Sequence, residues 1–330
     1  MVTSSSMKSP VFIVGCPRSG TSFLYHLLLS SGGFAAYHTQ MNVFDVLEPI
    51  YGDLAVTKNL EAATEEWLRS KGFTVSGLNA TDIKAKLLAG CRSAADFIRI
   101  IMEEVARKQG VDRWADSTPT NVPHMLRIKH DFPDAQFVHI IRDARDVALS
   151  LDKRGWTRPL PWDKKWSMAV AGVYWEWIVR KARKMGAQLG PSDYCEVHYE
   201  DLVEKPVEAL PRLSRFLQHE LDYDRIQESS VGSVKRPLTA FKGELQNGSF
   251  APVGRWKRDF PREQLVLLEN LSGKYLREMG YELATKPSFT PIAAAMRAEY
   301  LAFYAFKQWA KVNTPLSRMT VSYSGILIDK

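Results

Sequence analysis

The chain has little cysteine: three residues in 330, Cys16, Cys91 and Cys195. A widely spaced, odd-numbered set argues against a disulfide framework, and none of the spacings suits zinc. A reducing, cytoplasmic setting and no resident metal are therefore expected. No apolar run reaches the length of a membrane-spanning helix, and MVTSSSMKSP at the N-terminus lacks the charged-then-apolar layout of a secretion signal. Residues 1–10 are expected to be a disordered lead. Internal repeats and low-complexity tracts are absent. Charge of one sign is not in strong excess: 44 basic against 37 acidic residues give +7, enough to suit an anionic ligand but ordinary for a solvated exterior. No nucleic-acid partner is expected. What remains is 45% hydrophobic and 25% charged, a globular composition with room for one large α/β domain carrying insertions.

The most informative stretch is Val11 to Leu29, VFIVGCPRSGTSFLYHLLL. The apolar run at 11–14 has the pattern of a strand buried on both faces of a parallel sheet. Gly15, Pro17 and Gly20 break it with a loop, and a helix follows until Gly32 and Gly33 stop it. Strand, glycine-bounded loop and helix N-terminus make an anion cradle, because backbone N–H groups converge where the helix dipole is positive. Compared with G-x-x-x-x-G-K-[ST], Gly15, Gly20 and Ser22 fit, but Thr21 occupies the lysine position. That lysine serves the β- and γ-phosphates of a nucleoside triphosphate. Here the charge is Arg18, inside the loop. The cradle is kept without the triphosphate clamp.

Further along, short strands are expected at 34–37, 113–115, 135–141 and 194–199. A long helical insertion fills about 41–110, and a helix runs from Pro261 to Glu278. Residues 231–253 read as a long polar loop of the length that is usually functional or mobile. The tail, 286–330, contains a helix at 292–312 that is apolar on most sides. Contact with a membrane surface is one option for it, but packing on the main domain is the preferred reading because the amphipathic pattern is not clean. Ligands of parallel sheets bind outside the C-terminal strand ends. Four polar clusters fall there: Arg18–Ser22, His38–Gln40, Asp116–Thr118 and Arg142–Asp146.

PRSGTS after one strand and RDARDVALS after another resemble the paired nucleotide motifs of sulfotransferases that use 3′-phosphoadenosine 5′-phosphosulfate (PAPS). The likeness continues through FPDA, FVHII and YEDL, and ends at Gly254-Arg255-Trp256-Lys257, similar to the family's late basic segment. It spans roughly residues 11–285, the expected sulfotransferase domain. It implies an α/β fold of the P-loop nucleotide kinase kind, a central parallel sheet flanked by helices. It also implies that Arg18, Ser19, Gly20, Thr21 and Ser22 hold the 5′-phosphosulfate, that Arg142 and Ser150 hold the 3′-phosphate, and that Arg255 and Lys257 close over the donor. Transfer to a hydroxyl of a small-molecule or lipid acceptor is the expected activity. Because the donor has one sulfonate in place of a β,γ-diphosphate, no metal is required. Alternatives are a kinase-like phosphotransferase and a nucleotide-binding relative without turnover.

Two positions depart from the family. Relatives acting on sugars or proteins carry a glutamate after the second strand, where this chain has Gln40. Related sequences often read K-T-P, where this one has Ser117-Thr118-Pro119. Gln40 accepts no proton. His38, two residues back on the same side of an extended strand, is the expected base, since imidazole ordinarily titrates near 6.5. Asp116 is expected to orient it or substitute for it.

Overall fold

The computed structural model describes residues 7–157, 159–229, 252–288 and 290–314. The expected loop at 231–253 falls almost wholly outside the described residues, as do positions 1–6 of the lead and 315–330 of the tail. Residues 7–10 are not a loose lead. Lys8 N donates to Asp112 O, Ser9 O accepts from Arg113 Nε, and Pro10 O accepts from Gln136 N, so the backbone is tied to the start of the sheet.

Five strands form the sheet: β1 (Val11–Val14), β2 (Phe34–Ala35), β3 (Arg113–Asp116), β4 (Gln136–Ile141) and β5 (Tyr194–His198). Their spatial order is β2-β3-β1-β4-β5, and every neighbouring pair is parallel. Val14 lies opposite His139, and Ile141 opposite His198, so the C-terminal ends of the central strands lie along one edge. β1 sits in the middle, and all four of its residues are fully buried. At about 1.5–3 kcal/mol for each large apolar side chain, this short strand contributes strongly to the core. Alternation divides it: Phe12 and Val14 enter one apolar cluster, Val11 and Ile13 the other.

The Val11/Ile13 face is covered by α1 (Thr21–Ser31), α10 (Tyr199–Glu204), α11 (Pro206–Leu217) and α12 (Tyr223–Glu228). Over the Phe12/Val14 face lie α8 (Ala144–Lys153), α9 (Ser167–Gly186) and α14 (Arg262–Glu278). The insertion is helical as expected. It contains a π-turn at Val43–Leu47, then α2 (Glu48–Tyr51), α3 (Thr57–Leu68), α4 (Lys71–Ser76), α5 (Ala80–Gly90) and α6 (Ala94–Gln109). Ser93 caps α6 through the Asp96 N–H, and Gly110 ends it in the left-handed conformation. A 3₁₀ turn at Pro119–His124 leads into α7 (Met125–Asp131), and a single turn, α13 (Trp256–Asp259), precedes α14.

The last helix, α15 (Pro291–Asn313), packs on α9 and α14, the arrangement preferred from its pattern. Tyr300 is fully buried in it, donating to Asp163 Oδ2 at 3.0 Å and accepting from Leu160 N at 2.9 Å. Phe306 and Trp309 face outward. Among the described residues, no helix is long and apolar enough to cross a membrane.

Candidate functional site

The loop between β1 and α1 is shaped by close approach. A Cβ on Gly15 would lie 2.5 Å from Ile140 O, and one on Gly20 would collide with the Tyr199 ring. Both glycines also adopt positive φ, 153° and 100°, and Arg18 between them is left-handed at 73°. Gly20 is the N-cap of α1 and brings no side chain to the orphan N–H groups, and the first turn has no acidic residue. The positive end of the helix is thus left open to an anion. Ser19 and Thr21 are buried at this turn, while Ser22 is exposed.

Two motifs 132 positions apart in the chain meet here. Arg18 Nε donates to Ser150 Oγ at 2.9 Å, and Arg142 Nη1 reaches Arg18 O at 3.4 Å. Burial, with Arg154 and Arg142 close by, lowers the Arg18 pKa to about 10, still cationic at neutral pH. Arg142 is itself buried, lies 4.3 Å over the Tyr199 ring and donates to Pro252 O at 2.6 Å. Among the described residues, the buried Ser19 Oγ and Arg142 Nε make no hydrogen bond. Unmet donors of this kind suit a polyanionic ligand.

Asp143, Arg145 and Asp146 form the frame around these groups. Asp143 caps α8 through the Arg145 N–H, and the Arg145 side chain pairs with both Asp143 and Glu269, 3.6 Å over the Trp256 ring. Asp146 accepts from Gly254 N at 2.8 Å and Trp256 N at 2.9 Å. This carboxylate therefore fixes the backbone that carries Arg255 and exposed Lys257, bringing the late basic segment beside the second motif. Glu200 accepts from Asp143 N and Tyr281 Oη, and burial pushes its pKa up to about 7. The spacing of Asp146, one helical turn after Arg142, was the available signal for this role; Tyr199 and Glu200 fell within the YEDL likeness without a role attached, and Glu269 had no signal.

The candidate base and its partner occupy different surroundings. His38 is exposed and stacks on His26 of α1, with Nδ1 3.4 Å from His26 Nε2. Burial and His38 lower the His26 pKa to about 4. Asp116 is buried, and each oxygen is engaged: Thr118 Oγ1 donates at 2.6 Å and Asn121 Nδ2 at 2.7 Å. Burial raises its pKa to about 6, against those hydrogen bonds. Thr118 Oγ1 in turn accepts from Met41 N at 3.1 Å, linking the end of β3 to the start of the insertion.

Beside the loop lies a cavity of about 280 Å³. Pro17, Leu151 and Trp156 border it on the loop side, and Tyr174, Trp177 and Ile178 of α9 and Phe303 and Tyr304 of α15 supply apolar walls. The Trp156 ring sits 5.6 Å from the Arg18 guanidinium carbon. Trp162, six positions further on, is 66% exposed and does not line the cavity. Asp45 marks the polar end. Burial raises its pKa, but His124 and Lys311 outweigh that and hold it at about 2.

A parallel sheet with a glycine-bounded loop and an uncapped helix start after its central strand defines an α/β protein of the P-loop type. Comparison with known proteins narrows the class. Residues 10–223 match the model of the sulfotransferase family, and the chain belongs to that family. It is 24% identical over 328 residues to a putative protein-tyrosine sulfotransferase of Caenorhabditis briggsae, covering 91% of this chain and 99% of that protein. A Caenorhabditis elegans protein of the same description is 24% identical over 237 residues, 64% of this chain and 82% of that one. The fold is similar to the sulfotransferase domain of the curacin biosynthetic pathway, with a TM-score of 0.55 at 17% identity, over 84% of this chain and all of that one. It is also similar to the sulfotransferase domain of a Synechococcus olefin synthase, with a TM-score of 0.53 at 16% identity, over 92% and 96%.

Proposed function

We propose that this protein transfers a sulfuryl group from PAPS to a hydroxyl of a small-molecule or lipid acceptor. The bond from Arg18 Nε to Ser150 Oγ carries the reading, because it joins the phosphate-type loop to a second cationic site at the neighbouring strand end. A donor with phosphosulfate at one end and a 3′-phosphate at the other needs two such sites side by side. In this reading Arg18, Ser19, Gly20, Thr21 and Ser22 receive the 5′-phosphosulfate, Arg142 and Ser150 the 3′-phosphate, and Arg255 and Lys257 close over it.

During transfer the acceptor oxygen attacks sulfur while the sulfur–oxygen bond to the 5′-phosphate breaks. Charge spreads over the sulfonate oxygens and the leaving phosphate, so prealigned donors in the loop stabilise the transition state and no metal is needed. His38 takes the acceptor proton. Asp116 acts from behind, holding Thr118 and Asn121 in place. Calorimetry is the test: 3′,5′-bisphosphoadenosine should bind without magnesium and much more tightly than ATP. Tighter binding of ATP with magnesium would return the kinase-like reading.

A further inference from the structure

We propose that α15, fastened to the insertion through Asp45, sets acceptor specificity by closing the cavity beside the loop around a ring-sized apolar phenol or alcohol. This inference rests on the sulfuryl-transfer reading and adds the class of acceptor. Three observations carry it. The first is position: Pro17 of the loop and Trp156, which packs near Arg18, border the cavity, so a bound hydroxyl would lie next to the donor's sulfonate. The second is size. At ~30 Å³ per water, 280 Å³ equals about nine waters, room for roughly ten non-hydrogen atoms. A sterol or a peptide segment would have to extend beyond this volume.

Third, the walls are aromatic and the roof is anchored by charge. Phe303 and Tyr304 descend from α15 opposite Tyr174 and Trp177 of α9. Asp45 is buried on the insertion, bonded to Lys311 and Gln308 of α15 and 3.6 Å from His124 Nε2. At the other end of the helix, buried Glu176 of α9 pairs with Arg297 and Arg180. An apolar helix would pack here without these pairs. Buried ion pairs add little net stability over apolar replacements, but they do fix register. Their position at both ends of α15 pins Phe303 and Tyr304 over the cavity. The residues matched to the family model stop at 223, before α15 begins.

The experiment uses the full chain with 3′,5′-bisphosphoadenosine present and 4-propylphenol, which has ten non-hydrogen atoms, as probe in calorimetry. The unmodified protein should bind both. Phe303→Trp, filling the cavity, should weaken 4-propylphenol at least tenfold and change nucleotide binding less than twofold. Leu301→Ala, on the side of α15 that borders a different groove, should leave both within twofold. Undiminished 4-propylphenol binding in Phe303→Trp overturns the proposal, as does an equal loss in Leu301→Ala. Should Phe303→Trp fail to fold, Phe303→Ala decides. It should shift preference at least fivefold toward the larger 4-phenylphenol, and an unchanged preference overturns the proposal. Nucleotide binding without 4-propylphenol binding defeats this inference alone; absence of nucleotide binding defeats the donor reading beneath it.

Discussion

In the proposed reading, the donor side and the acceptor side of the site are built in opposite ways. On the donor side, recognition rests on charge held by local motifs: a glycine-bounded loop, an uncapped helix start and a run of five residues at the end of β4. Arg142 and Arg145 are buried, framed by Asp143, Asp146 and Glu269, and stacked on aromatic rings. On the acceptor side, recognition rests on shape. The cavity is walled mainly by apolar side chains of the loop side, α9 and α15, with a polar end where Asp45 of the insertion meets Gln308 and Lys311. An anion with fixed geometry can be read by a few rigid donors, whereas an apolar acceptor can be read only by enclosure.

Four measurements would break or sharpen this contrast. The largest effect should fall on turnover. His38→Ala should reduce sulfuryl transfer by about 10²–10⁴-fold with donor binding intact, the span general-base catalysis supplies. Asp116→Asn should reduce it less if Asp116 only orients its neighbours. Should neither change lower turnover tenfold, the proton leaves by another route.

Next is the frame of the donor side. Arg145→Met leaves Asp143 and Glu269 buried without their shared cation and should cost about 3–5 kcal/mol in denaturant unfolding. A loss below about 1 kcal/mol would mean that the network adds no rigidity.

Arg142→Ala tests the division of labour within that frame. At about 1.5–3 kcal/mol for a charge-assisted bond, 3′,5′-bisphosphoadenosine should bind roughly 10–100-fold more weakly. Adenosine 5′-phosphosulfate, which lacks the 3′-phosphate, should be nearly unaffected. Equal losses for the two ligands would assign Arg142 to the frame.

The smallest effect is a pH dependence. Burial raises the Glu200 pKa from 4.5 to about 7, so the folded state favours the protonated acid. Its contribution to stability is complete below about pH 4.5 and is lost as pH rises through 7. Glu200→Gln should flatten that part of the melting-temperature profile. Asp45 has the reverse sign: lowered to about 2, it contributes above about pH 3.8 and is lost on acidification through 2. A Glu200→Gln profile parallel to that of the unmodified protein would show that Glu200 does not titrate in this range.

Much of the fold could be read from residue order. β1 and β4 lie within a residue of their expected bounds and α1 stops at the expected glycines, since an apolar run and glycines at positive φ act over a few residues. β2 was expected to run to Tyr37 but stops at Ala35, where the Gln109 side chain bonds the backbone of Ala36. No local pattern announces such a long-range contact. Similarly, the sequence suggested packing for the tail helix but not its partners, α9 and α14.

Sequence alone determined the cradle: strand, loop, helix start, Arg18 in place of the usual lysine, and a second motif at another strand end. These are legible because backbone conformation and the helix dipole are local properties. Tertiary structure alone decided that Arg18 would meet Ser150, that Asp146 would hold the backbone of Gly254 and Trp256, and that Asp45 would pair with a lysine 266 positions away. A carboxylate in a chain has many possible cations. Only the packing of α8, α9 and α15 against one sheet face selects one, because burial makes any unpaired choice costly.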